Sequence, residues 1–391
     1  MKEIISSVMD NVITWRRDLH QIPEIGNDLP KTSEYVCKQL DNMGVSYKKG
    51  VGLEHAIVAT IEGTKKGGGK TLALRADMDA LPIVEETSLP FASKNGKMHG
   101  CGHDAHTAIL LGTIKVLNQM RDKFSGKVVF LFQPGEEFSA GAEPMVKAGC
   151  LDGVDAIIGL HVGNIAGEGT PGVAYLKMGS LMACLDKWSM TVTGIGSHGA
   201  YPQNSHDPVV MQAHIITAIQ EIISREMNPV DPGVVTVGIV NGGSTYNVIP
   251  GSVYLEGTAR AVSQKTREYI AKRIGEIAES VAKAFRGSID YNYTFGAPPV
   301  VNNDEITAKV LESSKKALGE ENVQLMTNPV MGGEDFAYYL EKVPGTFIFL
   351  STPLDVNGVY YPHHNSKFAI NEQYFDRGIA IFVQSALDFL S

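Results

Sequence analysis

The spacing of apolar and polar positions divides the chain into stretches of different character. Residues 1–44 carry a helical repeat with a break around 21–30. From Glu54 the pattern changes. Residues 56–62 and 71–77 are short runs rich in Ile, Val, Leu and Ala, the mark of strands buried on both faces. Between them, Lys65-Lys66-Gly67-Gly68-Gly69 predicts a hairpin-like connection. A helix is predicted over 104–120, where Ile109, Leu110, Ile114 and Leu117 share a face, and strands over 127–132 and 156–161 follow. Apolar strands alternating with helices predict an α/β layer whose sheet is covered on both sides.

The order differs between 185 and 295: strand 187–193, helix 208–226, strands 234–240 and 252–260, helix 264–285, strand 288–293. This β-α-β-β-α-β sequence is the ferredoxin-like arrangement, complete in itself. Helix 306–318, strand 346–350 and helix 376–390 then resume the earlier alternation. The predicted fold is therefore two-domain α/β, with one domain built from 1–184 and 296–391 and interrupted by a smaller domain over 185–295.

Composition narrows the function. The chain has 391 residues, 43% of them hydrophobic, ample for two or three domains. Its 34 basic and 43 acidic side chains give a net charge of −9, and no basic stripe is present, which argues against nucleic acid. Apolar runs such as 128–132 fall far short of the ~20 residues that span a bilayer, so no membrane partner is expected. The first ten residues lack the apolar block of a secretory signal. Four cysteines at irregular spacing make no disulfide framework, and the expected location is the cytoplasm.

Ligands of open α/β sheets bind beyond the carboxyl ends of the strands. Asp77-Met78-Asp79, Gln133-Pro134-Gly135-Glu136-Glu137 and His161 stand at such ends, His99–Asp104 precedes a helix, and Pro362-His363-His364-Asn365 follows the last strand. Together they point to a metal site. Glycines 100 and 102 allow Cys101 and His103 to converge, and thiolate with imidazole and carboxylate suits zinc, nickel, cobalt or manganese. The bland alternative makes Cys101 a core residue, Asp104 a helix cap and His103 a surface residue. Adjacent glutamates at a strand end point in different directions, so one can bind metal while the other stays free as a general base for hydrolysis. His20, His55, His106, His206 and His214 are scattered and read as structural or surface residues. Gly194-Ile195-Gly196-Ser197-His198-Gly199 fits GxGxxG. However, Pro202 and a polar stretch separate it from the next helix, and no acidic strand end follows. An oxidoreductase using this segment remains the reading from another class.

The motifs Leu74–Pro82, Met98–Asp104, Gln133–Glu137 and Met331–Phe336 resemble the M20 metallopeptidase family. The resemblance is to the branch of hippurate, N-acyl-amino-acid and auxin-conjugate hydrolases, and it covers essentially the whole chain. It implies a mixed-sheet catalytic domain with an inserted lid and dimerisation domain, and two divalent ions per subunit (Zn, Mn, Ni or Co). Cys101 would bridge them, His103 and His161 would complete one, and Glu137 with His364, rather than His363, the other. Glu136 would be the general acid/base and Asp79 would orient a ligand. His198 would reach the partner subunit's active site, and Asn247 and Arg260 would hold a substrate carboxylate. The implied substrate is a small N-acyl amino acid and the implied assembly a homodimer or homotetramer. A metal-dependent aminopeptidase or dipeptidase with the same centre is the alternative.

Overall fold

Leu72, Leu74 and Ala76 alternate along the chain with Ala73, Arg75 and Asp77, so a single strand serves two chemically different faces. The computed structural model describes residues 1–165, 169–356 and 358–391. Its first unit comprises Met1–Leu181, Val301–Val330 and Asp335–Ser391, and its second Met182–Val300 with Met331–Glu334.

Strands β1 (Ser46–Lys49), β2 (Ile57–Glu62), β3 (Thr71–Asp77), β4 (Lys127–Gln133), β5 (Ala156–Gly163) and β6 (Ala174–Leu176) join strands Val323–Leu325 and Gly345–Ser351 in one mixed sheet. The order is β1-β2-β4-β3-β5, then Gly345–Ser351, β6 and Val323–Leu325. β4, β3, β5 and Gly345–Ser351 are mutually parallel, which brings their carboxyl ends to one edge. One face buries Leu72, Leu74, Phe130, Phe132, Ile158 and Leu160 in a core shared with helices α1 (Lys2–His20), α2 (Pro30–Asn42), α3 (His103–Gln119) and Phe375–Phe389. Each such side chain contributes about 1.5–3 kcal/mol when fully buried. α3 is buried almost all round, in keeping with its place between sheet and helices.

Two expectations are corrected here. The Lys65–Gly69 segment is not a hairpin, because β2 and β3 both pair with β4, which lies between them. Its backbone instead follows the turn leading into β4, with Thr64 N donating to Arg121 O and Lys65 N to Phe124 O. Met331–Glu334, assigned by sequence to the interrupted domain, lies with the second unit, where Ala183 N donates to Gly332 O at 2.9 Å.

In the second unit, strands Asp186–Thr193, Gly233–Gly242, Ser252–Ala261 and Ser288–Thr294 form an antiparallel sheet. Asp186–Thr193 and Ser252–Ala261 lie at its centre, the strand order of a ferredoxin-like domain. Helices Pro208–Ala218 and Gln264–Ala284 cover it. The helix expected over 208–226 ends early and gives way to a wider turn at Ile222–Glu226, where Met227 N bonds Ile222 O. Among the described residues no helix is long and apolar enough to cross a membrane.

α3 is held at its start by charge. Asp104 in its first turn lies 2.9 Å from Arg16 Nε and 2.7 Å from His20 Nδ1, all three buried. Burial opposes ionisation of Asp104, but Arg16 and His20 outweigh it and hold the carboxyl far below the usual range. A depressed folded-state pKa stabilises above the unfolded value of about 4 and fades as pH falls below it. Asp104→Asn should therefore cost roughly 3–5 kcal/mol at neutral pH, because it strands a buried guanidinium. The loss should shrink in urea titrations run at progressively lower pH, whereas a pH-independent difference would contradict the assignment.

Candidate metal centre

The parallel strand ends and the start of α3 deliver a dense set of donors in the first unit. The turn into α3 requires Gly102, whose φ is +91° and where a Cβ would lie 2.9 Å from Val162. That turn brings Cys101 and His103 together. The ligand atoms of Cys101, His103 and His161 lie within 4.8 Å of one another, as do those of Cys101, Glu137 and His364. These two groups share Cys101. His103, Glu136 and Glu137 form a further such group. Of the bland reading of His99–Asp104, Cys101 is buried as expected, but His103 is fully buried rather than at the surface and Asp104 caps nothing with its side chain.

Glu136 and Glu137 do not continue β4 as strand residues pointing apart. They open a short turn, Glu136–Phe138, after Gly135. Glu136 Oε2 lies 3.9 Å and Glu137 Oε1 3.8 Å from His103 Nε2. Asp79 fixes that turn by accepting from the backbone N–H of Glu136 and of Glu137, each at 3.1 Å, and its Oδ1 lies 3.3 Å from His103 Nδ1.

The two neighbouring histidines separate by their hydrogen bonds. His363 Nε2 accepts from Asn164 N at 3.1 Å, so its proton is on Nδ1, 3.6 Å from Cys101 Sγ. Gly163 makes room for this ring, since a Cβ there would lie 2.3 Å from it. His363 therefore faces the sulfur as a donor. His364, with a left-handed φ of +66°, places Nε2 3.3 Å from Glu137 Oε2. A non-glycine residue held in that region is a sparsely populated state that the surroundings must enforce.

The electrostatics are those of a site short of positive charge. Burial would depress His103, yet Asp77, Asp79 and Glu137 raise its pKa to about 10. His161 is pushed well down by burial and by the neighbouring imidazoles, so its ring is neutral. Burial raises Glu137 despite the opposing pull of His103 and His364. Among the described residues, neither His103 Nε2 nor Glu137 Oε1 has a hydrogen-bond partner, although both are buried. Unsatisfied buried polar atoms are costly, and cations fitted to a thiolate, imidazole and carboxylate donor set remove the cost.

Sequence reasoning placed Asp77 and Gln133 at strand ends of the site but gave the groups beneath the donors no individual role. Arg75 bridges Asp77 (2.7 Å) and Asp335 (3.0 Å), while Gln133 donates to Asp335 at 2.7 Å and accepts from Arg75 Nε at 2.9 Å. His106, set aside with the scattered histidines, is buried inside the cluster and bonded to Asp77 at 2.6 Å. The available signals were that His106 lies three residues beyond His103 on one helix face and that Asp77 lies one strand period before Asp79. His20 is likewise buried, between Asp104 and Glu85.

Three expected site residues lie in the second unit. His198 sits in a two-residue strand opposite Val248, beside Asn247, whose carbonyl accepts from Gly199 N at 2.8 Å. Arg260 lies on the central strand Ser252–Ala261, its Nη1 donating to Thr258 Oγ1 and to Ala259 O at 3.0 Å.

A sheet-edge centre of this composition on an α/β frame is that of a metal-dependent hydrolase. Residues 73–388 match the model of peptidase family M20/M25/M40, and the chain belongs to that family. It is 40% identical over 370 residues to an N-acetyl-L-cysteine deacetylase of Bacillus subtilis, covering 94% of this chain and 85% of the relative. It is 36% identical over 393 residues to thermostable carboxypeptidase 1 of Saccharolobus solfataricus, covering 100% and 98%. The crystal structure of the YXEP protein of Bacillus subtilis, a dinuclear metal-binding peptidase of the M20 family, superimposes with a TM-score of 0.84 at 32% identity, covering 98% of this chain and 99% of that one.

Binding of divalent ions should stabilise the folded chain, by about 2.7 kcal/mol at a hundredfold excess over the dissociation constant. Differential scanning calorimetry of chelator-treated protein should show the unfolding midpoint rise on adding Zn2+ or Mn2+, and Cys101→Ser should remove most of the rise. A midpoint indifferent to every divalent ion would defeat the assignment.

Proposed function

We propose that the protein hydrolyses the amide bond of N-acyl amino acids, releasing a carboxylate and a free amino acid. The observation that carries this reading is the position of Glu136. It is buried beside His103, yet stands outside the two donor groups that share Cys101. In this reading Cys101, His103 and His161 would hold one divalent ion (Zn, Mn, Ni or Co), and Cys101, Glu137 and His364 would hold a second. Bound there, the ions supply Lewis acidity toward the amide carbonyl and the attacking water.

The chain's own residues do the rest. Glu136 takes the proton from the attacking water and hands it to the departing nitrogen, and its backbone bond to Asp79 fixes where that carboxylate stands. His363, donating toward the Cys101 sulfur, favours the thiolate form. His198, contributed by a partner subunit, stabilises the developing oxyanion, and Asn247 with Arg260 holds the carboxylate of the amino-acid half. The assembly in this reading is a homodimer or homotetramer. Four free, buried cysteines fit a reducing cytoplasm. The deacetylase relative supports the N-acyl substrate class. The carboxypeptidase relative favours a second reading, in which the same centre cleaves peptides.

Glu136→Gln should retain divalent ions while turnover of N-acetyl, N-benzoyl or N-succinyl amino acids falls by about 10²–10⁴-fold. Undiminished turnover would remove Glu136 from its role. A chelator should abolish activity and a divalent ion restore it. Faster cleavage of plain dipeptides than of any N-acyl amino acid would select the peptidase reading.

Mixing Glu136→Gln and His198→Ala subunits tests the shared site. Each variant alone should be inactive. A random mixture should recover about a quarter of wild-type activity, since half the dimers are mixed and each holds one intact site. No recovery after verified subunit exchange would place His198 outside the partner's site.

A further inference from the structure

His106 lies between two imidazoles of the centre, its ring stacked 5.3 Å from His103 and edge-on 4.5 Å from His161. Its two nitrogens face different partners. Nε2 lies 2.8 Å from the Val162 amide nitrogen. An amide N–H only donates, so Nε2 carries a lone pair and the ring proton sits on Nδ1, 2.6 Å from Asp77 Oδ1. Asp77 also accepts from Arg75 Nη1 at 2.7 Å, and Thr107 Oγ1 donates to its backbone carbonyl at 2.9 Å. The carboxylate is therefore tied to both β3 and α3. With both nitrogens engaged, His106 has no lone pair left for a metal.

Val162 is also held through its carbonyl, which accepts from His161 Nδ1 at 2.7 Å. That bond keeps the His161 proton on Nδ1 and leaves the Nε2 lone pair facing Cys101 Sγ, 3.4 Å away. The residue whose N–H is fastened by His106 is thus the residue whose C=O selects the His161 tautomer. We propose that His106 is a positioning residue: through the chain Asp77–His106–Val162 it fixes the carbonyl that aims His161 into the metal centre. Groups that orient a ligating imidazole in this way typically change metal affinity by 10–100-fold when removed. The inference rests on the metal-centre reading above and adds to it a residue that binds neither metal nor substrate.

Two amide variants separate the bonds that His106 makes. A glutamine amide reaches as far as Nε2 and can still accept from the Val162 N–H. An asparagine amide ends near Nδ1 and can reach only Asp77. Metal-free, full-length wild type, H106Q and H106N would be titrated with Co2+, following the thiolate-to-cobalt absorption band, with thermal unfolding of each metal-free form alongside. H106N should bind Co2+ about 10–100-fold more weakly with an altered band, while H106Q stays near the wild type. H106N binding like the wild type, or H106Q as weak as H106N, would overturn the inference. So would a loss in H106N that merely tracks a lower unfolding midpoint than that of H106Q. Wild type that takes up no cobalt would instead bring down the metal centre itself, and the positioning role with it.

Discussion

Negative and electron-rich groups cannot be crowded into a protein interior unless positive charge is supplied to match them. Asp77, Asp79, Cys101, Glu136, Glu137 and five imidazoles stand together at one sheet edge, and most are buried. Arg75, a fixed cation, lies beneath the donors, where it holds Asp77 and Asp335. That leaves the upper layer short of charge, as the raised pKa of His103 records. Proton uptake by a buried imidazole is one way to correct the imbalance; divalent ions are the other, and the donor set suits them.

The frame makes such crowding tolerable by being stiff. Parallel strands fix the spacing of their carboxyl ends, and α3 enters among them with its first turn pinned by Asp104, Arg16 and His20. Donors borne on strand ends and on a helix start are held more firmly than donors on free loops, which matters where an error of an ångström undoes a metal site. His364 is the exception, carried on a loop and held in a left-handed conformation, with its backbone N–H bonded to Gly100 O at 2.9 Å. The same alternation that gives β3 an apolar face toward α3 gives it a polar face carrying Arg75 and Asp77. Core packing and support of the donor cluster are therefore two sides of one strand.

Much of this was legible from local pattern. The strands carrying the site are unbroken apolar runs, and the ferredoxin-like order of the second unit follows from hydrophobic periodicity and turn residues alone. Cys101, His103, Glu136, Glu137 and His161 stood out because polar side chains at the ends of apolar strands are conspicuous. What escaped were features set by pairing across the chain. The glycine-rich run after β2 looked like a hairpin, because no local signal tells that β4, some sixty residues on, inserts between β2 and β3.

By itself, then, the sequence determined the strands and the helix start that carry the site and which reactive side chains stand at their ends, since those properties depend on neighbours a few residues apart. Tertiary structure alone decided that His363 donates while its neighbour faces Glu137, and that His106, unremarkable in the primary structure, is wedged between two imidazoles. Those outcomes turn on hydrogen bonds from Asn164 and Val162, whose backbone N–H groups look the same in any sequence until the fold aims them.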